Sequence, residues 1–236
     1  MRRDLPEVFE LGADEPLPAP PAVIIQALTP LLTDERLARI ERVLARRTRS
    51  VIAVLDGLID PHNVSAVLRS SEAFGVQEFH IIKGAETMVA SSRVAKGTEQ
   101  WLDVTVHADA ENCAKALRTR GFSLYVADAK GKLEPADLRD REPLAIIFGN
   151  EHAGVSGKLR ALADDTFAIP MRGFVESLNV SVAAAITLYT ITEGKGGTLS
   201  PSDKTALRAR YMMLSLPRAR EVIAELVKRG LGEGVA

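Results

Sequence analysis

The chain has 236 residues, 46% hydrophobic and 26% charged, with 30 Lys+Arg against 31 Asp+Glu. That describes a globular protein with enough length for a full core, and no apolar run approaches the roughly 18 residues of a membrane span. A single cysteine, Cys113, excludes an intramolecular disulfide framework and any CxxC metal knot.

Residues 1–16 hold five acids against Arg2 and Arg3, net −3, and the first twenty residues carry four prolines. The segment 1–33 reads as an acidic, irregular or partly disordered extension, with one apolar stretch over 22–28. It resembles neither a signal nor a transit peptide, so the default location is the cytoplasm. Thr33 then suits the N-cap of a helix running to about Arg47, with Asp34 and Glu35 in its first turn. Leu37, Ile40, Val43 and Leu44 share one side, and Arg39, Arg42, Arg46 and Arg49 the other. Residues 34–49 are net +3 and residues 208–229, including Arg208 and Arg210, net +4. Basic segments flanking a more neutral centre point to an anionic partner, nucleic acid first, against the plainer reading of two solvated helix faces.

From Ser50 the pattern becomes strand–helix alternation. Strands are predicted at 51–55, 78–82, 104–107, 123–127, 144–148 and 167–169, and helices near 63–74, 109–120, 156–163 and 179–192. Runs such as VIAVL and LAIIF lack polar alternation, as strands covered on both faces do. The fold class is therefore α/β with a parallel sheet flanked by helices. Gly194–Gly197 and Pro201 separate this body, 34–197, from a helical, basic tail, 198–236.

Three segments carry candidate chemistry. In Asp60–Gly75, Pro61 turns Asp60 away from helix and Asn63 is a natural N-cap. Val64, Val67, Leu68, Ser71 and Phe74 form the buried stripe, with Ser65, Arg69 and Glu72 opposite. In LAIIFGNEHAGVS (144–156), a buried strand ends at Gly149 and a polar loop follows, where α/β sheets bind ligands. Gly149 would admit close approach of a flat ring. In AIPMRGFVESLNVSVAAA (168–185), a short strand stops at Pro170 and the chain re-enters helix at an Asn179 cap, with Ser177 just outside. The sequence has no GxGxxG, GxxxxGK[ST] or GxSxG. Its four histidines, His62, His80, His107 and His152, lack metal-ligand spacing, so no metal is expected. Cys113 sits mid-helix in ENCAKAL and reads as structural rather than nucleophilic.

Together the three segments, in order and spacing, resemble the three motifs of the SpoU/TrmH family of RNA 2'-O-ribose methyltransferases, in the SPOUT superfamily, over about residues 34–192. The arginine-bearing leading helix is similar to the branch that acts on tRNA. Relatives that modify ribosomal RNA often carry a separate N-terminal RNA-binding domain, for which a 33-residue lead-in is too short. The resemblance implies a C-terminal deep trefoil knot, an exception to ordinary chain topology, and S-adenosylmethionine held there by backbone groups. Ala129, Gly149, Ile169 and Leu178 match the cofactor cleft, and Asn63, Arg69, Glu151, Ser177 and Asn179 the polar active-site positions. It also implies a homodimer in which Arg69 faces the partner's cofactor. Arg39, Arg42, Arg46, Arg208 and Arg210 would grip the RNA backbone, although the basic residues after the third motif begin only at Lys204 and Arg208. The leading expectation is methylation of a guanosine ribose in the tRNA D-loop. Ribosomal RNA 2'-O-methylation, or RNA binding without catalysis, are the alternatives.

Overall fold

The structure, a computed structural model, describes residues 16–57, 60–83, 97–150 and 153–229. In chain order its elements are α1 (Pro21–Leu28), α2 (Asp34–Leu44), β1 (Thr48–Asp56), α3 (Pro61–Ala73), β2 (Val76–Ile82), β3 (Asp103–His107), α4 (Ala110–Thr119), β4 (Ser123–Ala127), β5 (Leu144–Gly149), α5 (Gly157–Leu162), β6 (Asp165–Phe167), α6 (Val180–Thr192), α7 (Pro201–Leu214) and α8 (Ala219–Lys228). The described residues fall into two compact units, 49–194 and 16–48 with 195–229.

The first unit is a six-stranded parallel sheet, ordered β3-β2-β1-β5-β4-β6, with helices on both faces. The unbroken apolar strands explain the two layers. Val51, Ala53 and Leu55 pack with Val64, Val67 and Leu68 of α3 and Ala184, Leu188 and Ile191 of α6. Ile52 and Val54 turn the other way, toward Cys113, Ala114 and Leu117 of α4 and Leu159 of α5. A side-chain period of two with helices on each face requires apolar residues at every position, as 51–55 of β1 and 144–148 of β5 have. The last strand forms two residues earlier than 167–169.

In the second unit, α1 departs from the expected irregular lead-in. Pro21 starts an eight-residue helix that buries Val23, Ile24, Ala27 and Leu28, packed against α7 and α8. Tertiary burial overrides a proline-rich context here, and proline at the first helical position costs no hydrogen bond. Thr33 caps α2 as expected, accepting the Arg36 N–H at 3.2 Å. The helix ends at Leu44, so α2 groups with the tail helices rather than with the sheet. Arg49 therefore lies outside the helical arginine row. It starts the sheet unit, donating to Glu78 at 2.8 Å and to Asp103 at 2.5 Å.

Glu78 is the hub of that edge of the sheet. Its carboxylate also accepts two bonds from Arg120, at 2.7 and 2.9 Å, and lies 3.9 Å from His80 Nε2. His80 in turn meets His107, Nδ1 to Nε2 at 3.0 Å. Burial and the neighbouring His80 hold His107 down to about 4, so it is neutral at pH 7. Two of the four histidines read as scattered are thus cross-strand neighbours, because β2 and β3 run parallel with Ile82 opposite His107.

Candidate functional site

Loops at the carboxyl ends of β4, β5 and β6 and the entry to α6 enclose a cleft of about 430 Å³, the size of a nucleoside-scale ligand site. Ala129, Gly149, Ile169 and Leu178 all line it, and so do Ser177 and Asn179. Three segments separated by tens of residues converge because parallel strands deliver their carboxyl ends to one side of the sheet.

Asn179 caps α6. Its Oδ1 accepts from the Ser181 N–H at 2.9 Å and the Ser181 hydroxyl at 2.6 Å, while its Nδ2 donates to Asn63 Oδ1 at 3.1 Å. Asn63 is not the cap of α3. Asp60 takes that role by accepting the His62 N–H at 2.9 Å, and Pro61 fills the first turn. Asn63 is thereby buried inside the first turn, where it joins α3 to the α6 entry. Ser65, expected opposite the buried stripe, is itself buried and donates to the Pro61 carbonyl at 2.8 Å. Arg69 is exposed on α3 and is not among the residues lining the cleft of its own chain. Glu151 lies outside the described residues. Asn150 and Gly154 exchange paired bonds at 3.1 and 2.9 Å, and Asn150 Nδ2 donates to the Gly57 carbonyl at 3.1 Å.

Gly149, besides lining the cleft, meets a second packing demand. A Cβ there would fall 2.2 Å from Gly154 C and Val155 N. The chain's own returning loop thus presses close on one side, and no side chain fits.

Sequence reading missed Asp128 and Thr187. Asp128 directly follows β4, lines the cleft, and is ion-paired with Arg160; its place at a strand's carboxyl end was the available signal. Thr187 also lines the cleft, fully buried, with no hydrogen-bond partner for its hydroxyl among the described residues. Cys113 is buried, and that burial with the nearby Asp56 carboxylate pushes its thiol up to about 12 when no metal is bound.

Fold and cleft define a class, parallel α/β proteins that hold a nucleoside-sized ligand beyond their strand ends without a phosphate-binding glycine fingerprint. The chain belongs to the SpoU rRNA methylase family, whose model matches residues 50–189. It is 38% identical over 160 residues to the tRNA (guanosine(18)-2'-O)-methyltransferase of Thermus thermophilus, covering 66% of this chain and 81% of that one. The enzyme of the same name from Escherichia coli is 34% identical, over 82% of this chain and 86% of its own. Among solved structures, the Aquifex aeolicus TrmH/SpoU tRNA modifying enzyme superposes with a TM-score of 0.67 at 25% identity, over 78% of this chain and 98% of that one. The SpoU methyltransferase AviRb from Streptomyces viridochromogenes, solved with the cofactor AdoMet, gives 0.54 at 28% identity, over 64% and 62%.

Proposed function

We infer that this chain is a tRNA (guanosine(18)-2'-O)-methyltransferase, moving a methyl group from S-adenosylmethionine to the ribose 2'-hydroxyl of guanosine 18 in the tRNA D-loop. The observation that carries the reading is the convergence of Gly149, Ile169, Ser177, Leu178 and Asn179 on one cleft, in a chain that covers most of the length of relatives with that activity.

The cleft fits the cofactor. Among the described residues, the main chain of 169–178 makes no hydrogen bond within the protein, so its N–H and C=O groups are available along the cleft wall. Ala129, Gly149, Ile169 and Leu178 would hold the cofactor there. When bound, S-adenosylmethionine supplies a sulfonium-activated methyl, an electrophile that needs no further activation. The protein's task is to orient the hydroxyl and manage its proton. Asn63 and Asn179, locked to each other, fix the α6 entry, and with Glu151 and Ser177 they orient the ribose. Arg69 brings a planar guanidinium fork of five donors. It holds the adjacent RNA phosphate bidentately and stabilises the developing alkoxide, while the phosphate or solvent takes the proton.

Because Arg69 does not line its own cleft, the reading includes a homodimer in which it serves the partner's. An exposed apolar row on α6, with Val182 46%, Ile186 39% and Tyr189 48% exposed at helical spacing, supports such an interface. A knot is supported at β6. Asp128 N donates to the Phe167 carbonyl from one side, while Lys132 and Leu133 N donate to Thr166 and Ala168 N to Leu133 from the other. Gly131 presses so close that a Cβ would lie 2.1 Å from Phe167 C. The 128–133 turn thus wraps the strand.

Incubation with labelled S-adenosylmethionine and separated RNAs tests the function. Label should appear as 2'-O-methylguanosine at position 18 of tRNA. Label confined to ribosomal RNA would remove the tRNA reading, and none anywhere would favour a binder without catalysis. Arg39 and Arg42 of α2 and Arg46 just beyond its end are exposed, whereas Arg208 is held bidentately by Glu41, both bonds 2.6 Å, and Arg210 is half-buried. Replacing Arg39, Arg42 and Arg46 with alanine should weaken tRNA binding and flatten log K against log salt by about 0.7–0.9 for each phosphate no longer neutralised. Filter binding across a salt series measures it, and an unchanged slope would move the footprint elsewhere.

A further inference from the structure

Outside the cleft, the fold gathers His80, His107 and Cys113 from β2, the end of β3 and α4. One ligand atom of each lies within 4.8 Å of the others. Three points so spaced share a centre no more than about 2.8 Å from each, against about 2.0–2.1 Å for zinc–imidazole and 2.3 Å for zinc–thiolate bonds. Shifts of roughly half an ångström would bring all three onto one ion. Behind the first ligands stands a second layer. His80 turns its other ring nitrogen toward Glu78 at 3.9 Å, and Glu78 is clamped by Arg49 and Arg120. A carboxylate behind a histidine fixes its tautomer and orients the free lone pair toward a metal.

We propose that His80, His107 and Cys113 form a binding site for one thiophilic d10 cation, zinc(II) or copper(I). Two imidazoles and one thiolate, with no carboxylate among the ligands, select borderline-to-soft ions over magnesium or calcium. On binding, the thiol proton leaves to solvent. The ring N–H now lying between the two histidines shifts to an outer nitrogen of His107, so one proton is released per ion. The ion would tie edge strand β3 to β2 and α4. None of the three residues lines the cleft, so the site stands or falls independently of the methyltransferase reading.

The test uses the full-length protein stripped with chelator, then loaded with zinc(II), or with copper(I) under anaerobic reducing conditions. One equivalent of metal should remain after desalting by elemental analysis, and the unfolding midpoint should rise by several degrees. Cobalt(II) loading should give a near-ultraviolet thiolate charge-transfer band. Cys113→Ala should abolish that band, and His107→Asn should lower retention at least tenfold. Retention of zinc but not copper, or the reverse, names the ion. No stoichiometric metal on the wild-type protein overturns the proposal even if both variants misfold. Metal retained without the cobalt band, or equally by folded variants, overturns it as well.

Discussion

Arg69→Ala should lower the turnover of tRNA methylation by two to three orders of magnitude while methyl-donor affinity stays within about a factor of two. Arg69 is exposed on α3 and is absent from the cleft lining of its own chain. Its removal therefore costs no packing, and on the proposed dimer, where Arg69 reaches the partner's cleft to hold the RNA phosphate, it should leave donor contacts in place. On the proposed mechanism, what would disappear is a fixed positive charge beside the reacting hydroxyl, whose effect grows only as negative charge develops on the oxygen. Arg69→Lys keeps the charge but lacks the planar fork that grips a phosphate at two oxygens, so it should recover only part of the rate. A general-base role would instead make the lysine variant's rate climb with pH as the amine deprotonates, whereas an electrostatic role leaves the neutral-pH profile of both proteins similar. Single-turnover rates and calorimetric donor affinities separate these cases. A donor affinity that falls in step with rate would place Arg69 in the cofactor pocket instead.

Much of the sheet unit was legible because its strands have no polar face. VIAVL and LAIIF could be satisfied only by helices on both sides, and Val51 and Ile52 do face opposite layers. The cleft was legible for a related reason, since motif residues at strand ends must meet once the strands are parallel. Failures came where two local signals competed. Asn63 is a good cap, but Asp60 followed by Pro61 is a better one three residues earlier, and the choice decides whether Asn63 faces solvent or Asn179. Arg49 continues the spacing of the α2 arginines, yet the helix ends at Leu44 and that guanidinium is committed to Glu78 and Asp103. Helix α1 was hidden because its stability comes from burial against α7 and α8, which no window of eight residues contains. His80 and His107 meet only through the register of β2 with β3, so their separation in sequence offered no ligand spacing to notice.

Glu78 illustrates how much a single buried partner can matter. Glu78→Gln should destabilise the sheet unit by about 1–3 kcal/mol, less than for a fully buried pair, because the Arg49 and Arg120 side chains left facing a neutral amide are 29% and 43% exposed and Arg49 keeps Asp103. That corresponds to a fall of about 5 °C in the unfolding midpoint for a domain of this size. The Glu78 side chain is 7% exposed while both arginines reach solvent, so these pairs are only partly screened. Burial alone would push its carboxyl up. The His80, Arg120 and Arg49 contacts outweigh that and hold it well below the usual carboxylate range. A depressed folded-state pKa contributes stability that is complete above the unfolded value, near 4.5, and is lost as pH falls toward the folded one. The wild-type advantage over Glu78→Gln should thus be constant near neutrality and shrink as pH drops below about 4.5. The surface pair Lys158–Glu111, with side chains 76% and 51% exposed, is the control, and its removal should leave the midpoint unchanged. Urea titrations of the three proteins from pH 7 to pH 3 measure the difference, and a Glu78→Gln penalty that persists undiminished at pH 3 would show that packing, not charge, holds this corner of the sheet.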